Sequence, residues 1–342
     1  MRHLKVLFAL TAATALTACG GGGDDSGAPT PPAPAPNVVN GSNGTLQASV
    51  AAASYGADKR RLDAFNQLNT VRAGAGAGLL AQSTALDTSA LDHANYLSAN
   101  GFASADSAHD ETSGLADFSG VNPFVRMQSA GYAFSYASEV IGDIGSTSST
   151  SDCVGDLLDT IYHAASMLSR VTDVGFGFGT GAAAGMCTID MGSPLVGGSA
   201  RQIPPSGAII TYPYAGSTVA HGTFYVANES PRASTTLLPN ATAGTPIIVG
   251  LRNQDLVKGG VANITQFSLA TAAGVAVPGV ILADPAITGT GVNADANVDA
   301  GFAALVPTSA LAAGTYTVTL RATISGGQAL APTTWSFTVK AF

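Results

Sequence analysis

Histidine is the residue type to weigh first, because its ordinary pKa lies near neutrality and its neutral ring is the commonest metal ligand. The chain has five. His93 follows Leu86 and Ala90 at helical spacing on an apolar face, where a satisfied core histidine is expected. His221, beside Gly222, reads as a turn residue, and so does Glu229 in Asn228-Glu229-Ser230-Pro231. His3 falls in the basic start of the chain, ahead of its first apolar run. His109 is different, set in the polar loop Ser107-Ala108-His109-Asp110-Glu111-Thr112-Ser113-Gly114. His163 lies in a helical stretch, Thr160-Ile161-Tyr162-His163. Between them Glu139 interrupts the apolar strand Tyr136-Ala137-Ser138-Glu139-Val140-Ile141, where an unpaired charge would be costly. No Gly-x-Ser-x-Gly elbow and no His-Glu-x-x-His helix is present.

The three cysteines divide by position. Leu16-Thr17-Ala18-Cys19 ends a basic start and a short apolar run, Val6 to Leu16, which is too short to span a bilayer as a helix. Residues 1–19 therefore read as a lipoprotein signal peptide with Cys19 as the lipidated mature N-terminus. Gly20, rather than Asp, points to the outer membrane of a bacterial envelope, periplasmic or surface-exposed. The alternative is an ordinary cleavage site with an incidental Cys. Residues 20–57 are rich in Gly, Pro and Ala and read as a disordered tether, since such a segment buries too little apolar surface to offset its ordering entropy. In an oxidising compartment Cys153 and Cys187 read as a disulfide, against the alternative of two buried thiols. The formal net charge is −8, which argues against nucleic acid and anionic lipid as partners.

These residues need elements to position them. Leu62, Phe65, Leu68 and Val71 predict a helix from Lys59 to Arg72 that stops at Gly74 to Gly78. A second helix is capped by Ser83 or Thr84 and ends at Asn100-Gly101. A third starts at Asn122-Pro123 and stops at Gly131. A strand over Tyr132 to Ile141, a fourth helix from Asp152 to Leu168, and strands over Asp173 to Gly179 and Gly185 to Met191 complete an α-β-α sandwich. After Pro204-Pro205-Ser206-Gly207 the texture changes. Ala208 to Tyr212, Pro246 to Leu251, Val275 to Leu282, Phe302 to Val306, Thr315 to Thr323 and Trp335 to Val339 are short apolar runs between turn residues, as in an all-β sandwich.

Six motifs in this order resemble the CAP superfamily, which groups cysteine-rich secretory, antigen-five and pathogenesis-related (SCP-like) proteins. They are Leu68-Asn69-Thr70-Val71-Arg72, His93-Ala94-Asn95-Tyr96-Leu97, His109 before Gly114, Ala130-Gly131-Tyr132, Ser138-Glu139-Val140-Ile141, and His163 before Val174-Gly175-Phe176-Gly177. Glu139 lacks the family's flanking Gly and Asn, Ile161-Tyr162-His163-Ala164 replaces the Ser-Pro-Gly-His-Arg turn, and the second glutamate of many members has no clear counterpart. Asp156 or Asp159 is the candidate substitute. The C-terminal part resembles the Ig-like modules of bacterial surface proteins, through Thr211-Tyr212-Pro213, Leu311 to Val318 and Trp335 to Val339.

The resemblance implies that His109, Glu139 and His163 converge in a cleft that in several relatives holds zinc or magnesium. Three such ligands leave an open position for water or substrate. The bland alternative is a hydrogen-bonded polar knot without metal. The expected organisation is a signal peptide at 1–19, a tether at 20–57, a CAP-like domain at 58–195, a linker at 196–207 and an Ig-like β-sandwich at 208–342. The expected role is a lipid-anchored binding protein for a divalent metal, a lipid or an envelope component. A metal-dependent hydrolase with Glu139 as general base, and a structural spacer, are the competing classes.

Overall fold

The computed structural model describes residues 37–41, 44–101, 107–143, 153–179, 185–195, 201–229, 231–253, 256, 260–324, 328–330 and 333–341. The expected signal peptide, Cys19 and the first part of the expected tether, 20–36, lie outside these residues. Residues 35–342 form one compact unit.

The first strands, β1 (Asn37–Gly41) and β2 (Gly44–Ser49), pair antiparallel. The end of the expected tether is therefore folded chain. Gln47 is buried, and its amide donates to the carbonyls of Leu79 and Thr172, both at 2.8 Å, while its backbone N–H donates to Gln202 Oε1 at 2.8 Å. Thr45 pairs with Ile203. Residues 201–203 of the expected linker are thus packed as well. A buried polar amide whose N–H donors are satisfied in this way is tolerated.

The helices α1 (Lys59–Ala75), α2 (Thr84–Asn100) and α3 (Pro123–Ser129) begin and end where their caps predict. Asp58, Ser83 and Asn122 each accept a backbone N–H from the first turn. Gly76 closes α1 in the left-handed region, with φ 78°. The expected fourth helix is instead two short ones, α4 (Cys153–Leu158) and α5 (Tyr162–Met167). Two bonds account for the break. Thr160 Oγ1 donates to the Leu157 carbonyl at 2.7 Å, and the Ile161 N–H is taken by Glu229 Oε2 at 2.7 Å, from the far side of the chain.

The central sheet runs β3 (Ala81–Gln82), β5 (Asp173–Phe178), β6 (Met186–Pro194), β4 (Phe134–Asp143). Alternation sorts its faces. Gly175 and Gly177 point towards α2, where a side chain would collide with the α2 backbone at Leu86–Asp87 and at Ala90–Leu91. Val174, Phe176, Ile189, Met191 and Val140 point the other way, into the core that holds Phe65 of α1, Leu157 of α4 and Ala165 of α5. Glu139 and Asp190 are cross-strand partners, and Asp190 is in turn the partner of Gly175. Both acids therefore share the α2 face. Cys153 and Cys187 form the disulfide, joining the start of α4 to β6.

Beyond residue 207 the chain is β-rich, in two main sheets. One orders Val292–Ala294, Gly279–Ala283, Phe302–Pro307, Ile247–Gly250 and Ile210–Tyr212. The other orders Ala276–Val277, Ala262–Thr271, Gly314–Ile324, Thr333–Val339 and Thr218–Val219. Their buried side chains are continuous with the core of the first part. The ten-residue strand Ala262–Thr271 lies outside the expected apolar runs, and the run Val275 to Leu282 is split at Pro278, which cannot donate to a ladder.

Candidate functional site

The site grows from one arginine. Arg126 enters from α3, fully buried, and its Nη2 donates to Glu139 Oε1 at 3.0 Å and Oε2 at 2.8 Å. Its Nη1 and Nη2 also donate to the His109 carbonyl, each at 3.1 Å, and Nη1 to the Gly120 carbonyl at 3.2 Å. A single guanidinium thus ties the His109 loop to the carboxylate on β4, a use its fixed fork suits.

His109 completes the pair from the outer side. Its Nδ1 lies 2.8 Å from Glu139 Oε1. An ionised carboxylate only accepts, so Nδ1 carries the proton and Nε2 presents its lone pair when the ring is neutral. The Glu139 side chain is 1% exposed and that of His109 31%, so the dyad points one group outward from a buried base. Burial alone would raise the Glu139 pKa. The His109 hydrogen bond and the charges of His93, Arg126 and His109 outweigh it and bring the group down to about 2.

Behind the dyad lies a second, wholly buried layer. His93 on α2 is 0% exposed, with Nδ1 2.8 Å from Glu111 Oε1 and Nε2 2.9 Å from the Ala108 carbonyl. Both neighbours are acceptors, so both bonds form only with the doubly protonated ring. Glu111 also accepts the N–H groups of Ser119 at 2.6 Å and Gly120 at 3.1 Å. Burial works against its ionisation, but His93 and these donors hold its pKa below the usual carboxylate value. Asp190 is pushed well above that value, first by burial and then by the charge of Glu139, and its two oxygens have no hydrogen-bond partner among the described residues.

His109 and Glu139 are therefore brought together, and His163 is engaged elsewhere. Its Nδ1 lies 3.1 Å from Glu229 Oε1 and 3.0 Å from Thr160 Oγ1. Asp159 pairs with His221 at 2.8 Å, and Asp156 lies in the first turn of α4. Glu229 and His221 are thus contacts across the junction with the C-terminal part, where turn residues were expected. Glu229 is buried, 3% exposed, because it receives the Ile161 N–H. Glu139, with both oxygens committed to Arg126 and His109, is placed as a partner behind an imidazole rather than as a ligand. Among the described residues no group of three or more His, Cys, Asp and Glu side chains is arranged to hold a metal ion. As placed, His109, Glu139 and His163 do not fit a three-ligand zinc or magnesium centre.

His93 behaves as the satisfied core histidine expected of it. Arg126, Glu111, Asp190 and Glu229 were not expected. Asp190 carried the same signal as Glu139, an acid within an apolar strand, Cys187-Thr188-Ile189-Asp190-Met191. Arg126 carried another, a lone cation in Phe124-Val125-Arg126-Met127.

Comparison with known proteins gives one family match. The family model CAP, the cysteine-rich secretory protein family, matches residues 65–190. No curated protein matches the chain. Among solved structures, CopC from Methylosinus trichosporium OB3b is 15% identical over 38% of this chain and 88% of its own, with a TM-score of 0.21. PcoC, a methionine-rich copper resistance protein from Escherichia coli, is 20% identical over 38% of this chain and 93% of its own, with a TM-score of 0.21. Scores this low carry no argument about the present chain. The family match coincides with the stretch in which the six motifs occur in order, and the His109–Glu139 dyad lies inside the residues that match the CAP family model, 65–190.

Proposed function

We propose that this is an exported binding protein, held at the bacterial envelope by a lipid on Cys19, whose CAP domain takes an amphipathic ligand against His109. The observation that carries the reading is the dyad, with Nδ1 of His109 held by buried Glu139 and the ring 31% exposed. Apolar surface borders it. The Glu111 N–H donates to the Val121 carbonyl at 3.3 Å, and Arg126, which grips the His109 carbonyl, follows Phe124 and Val125 on α3. Leu115, Phe118, Val121, Phe124 and Val125 are all exposed, a concentration of large apolar side chains that suits the apolar part of a ligand. The imidazole would meet its polar group. In this reading His93, Glu111, Arg126 and Asp190 form a polar knot that stiffens the loop, and the C-terminal region, of Ig-like type, holds the His163 side of the domain.

Titration with a fluorescent fatty acid tests the proposal. The wild-type chain should bind saturably, and Phe118→Ser with Phe124→Ser should weaken binding by roughly tenfold or more, since each buried aromatic is worth about 1.5–3 kcal/mol. His109→Gln should weaken it less. No saturable binding, or binding indifferent to all three changes, would refute the reading. The dyad also favours a hydrolase, because a carboxylate-held imidazole with an open nitrogen is placed to take a proton. Ester turnover abolished by His109→Ala would support that second reading.

A further inference from the structure

Three arginines gather where the CAP domain meets the β-rich region. Arg170 follows α5, and its carbonyl accepts the Gln202 N–H at 2.8 Å, which brings Arg201 alongside it. The Arg201 guanidinium lies over the Tyr136 ring, 3.9 Å from its centre. The Tyr136 hydroxyl donates to Asp299 Oδ1 at 3.2 Å. Two residues on, Gly301 leaves the room through which the Arg252 side chain passes, and its carbonyl accepts the Leu251 N–H at 2.8 Å.

Among the described residues the cluster has more cations than acids at hand, with Asp299 beside Arg201. Among the described residues no ion pair reaches any of the three guanidinium groups, and the Nε atoms of Arg201 and Arg252 are buried without a hydrogen-bond partner. Asp299 acts on Arg201, one carboxylate against three guanidinium groups, and burial raises its own pKa. Burial and the neighbouring Arg201 and Arg252 bring Arg170 down to about 10. In a chain with 14 basic and 22 acidic residues, gathering three cations away from the acids is costly unless an anion joins them.

We propose that Arg170, Arg201 and Arg252 form a binding site for a phosphate group at the junction of the CAP domain and the β-rich region. Guanidinium forks match tetrahedral oxyanions in pairs of hydrogen bonds, and orphaned buried N–H groups are the donors such an anion would satisfy. The phosphate is either free or part of a lipid headgroup. The site is separate from the His109 surface, and its ligand does not depend on that reading.

Calorimetric titration of the full chain distinguishes the sources, with inorganic phosphate and water-soluble dihexanoylphosphatidylglycerol as probes at an ionic strength fixed by chloride. At least one probe should bind the wild-type protein, and Arg201→Gln and Arg252→Gln should each weaken it by about tenfold or more. Tighter binding of the lipid identifies a headgroup site. Equal or tighter binding of inorganic phosphate identifies a free-phosphate site. Should a Gln variant fail to fold, Arg201→Lys and Arg252→Lys carry the test by the same loss of affinity, because an ammonium cannot make the paired bonds. Absence of binding of both probes to folded wild-type protein, or affinities unchanged in the variants, overturns the proposal.

Discussion

Arg126→Met should destabilise the protein by roughly 3–5 kcal/mol, because it removes one partner of a buried pair and leaves the other charge uncompensated. For a chain of this size that corresponds to a fall in melting temperature on the order of 10 °C. Arg126 is 1% exposed and the Glu139 side chain likewise 1%, so water cannot take over the lost hydrogen bonds without opening the site. The loss has two parts. Glu139 loses its paired contact, and the His109 and Gly120 carbonyls lose theirs, so the loop should loosen as well as the core. A double variant, Arg126→Met with Glu139→Gln, should be less destabilised than the two single changes summed, since the orphaned charge is gone. Thermal unfolding of the four proteins measures both effects. A loss below about 1 kcal/mol for Arg126→Met, in the range of an exposed pair, would show that the pair is not buried.

Removing the Cys153–Cys187 bridge should cost about 4 kcal/mol, from the loop-closure entropy that a 34-residue separation returns to the unfolded chain. Both cysteines are buried, and between them the chain passes through α4, α5 and β5, so the bridge restrains the elements that carry His163 and the two sheet glycines. Urea unfolding of the Cys153→Ala, Cys187→Ala protein should give a lower midpoint and a steeper dependence on denaturant, because a chain without the cross-link exposes more surface when unfolded. An unchanged midpoint and slope would contradict this account of the bridge.

Which parts of this architecture were legible in sequence follows from the range of the interactions behind them. Ser83 and Asn122 cap their helices through N–H groups three residues away, and Gly175 and Gly177 mark a strand face that a helix backbone must touch. Such signals are local or periodic, and they survive in one dimension. The break between α4 and α5 is not local. It is imposed by Glu229, whose carboxylate takes the Ile161 N–H from across the domain junction, and no property of the segment 152–168 announces it. The same holds for Gln47, which looks like the end of a Gly- and Ala-rich segment until its carbonyl partners at Leu79 and Thr172 are brought to it.

At the site, His109 and Glu139 could be picked out because each is chemically out of place in its own segment. Their roles could not. Whether Glu139 faces an open position or an imidazole backed by Arg126 depends on α3 lying against β4, and that placement turns the expected three-ligand set into a two-residue dyad with a buried support. Asp190 shows the same limit, since its raised pKa follows from burial and from being the cross-strand partner of Glu139 on the α2 face.

A long-range proton–nitrogen correlation spectrum of the imidazoles in mildly alkaline solution reads whether Glu139 holds His109 by Nδ1 and leaves Nε2 open. Neutral His109 should carry its proton on Nδ1, and Glu139→Gln should shift the ring towards the Nε2-protonated form preferred in water. A wild-type His109 protonated on Nε2, or a tautomer indifferent to Glu139→Gln, would contradict it.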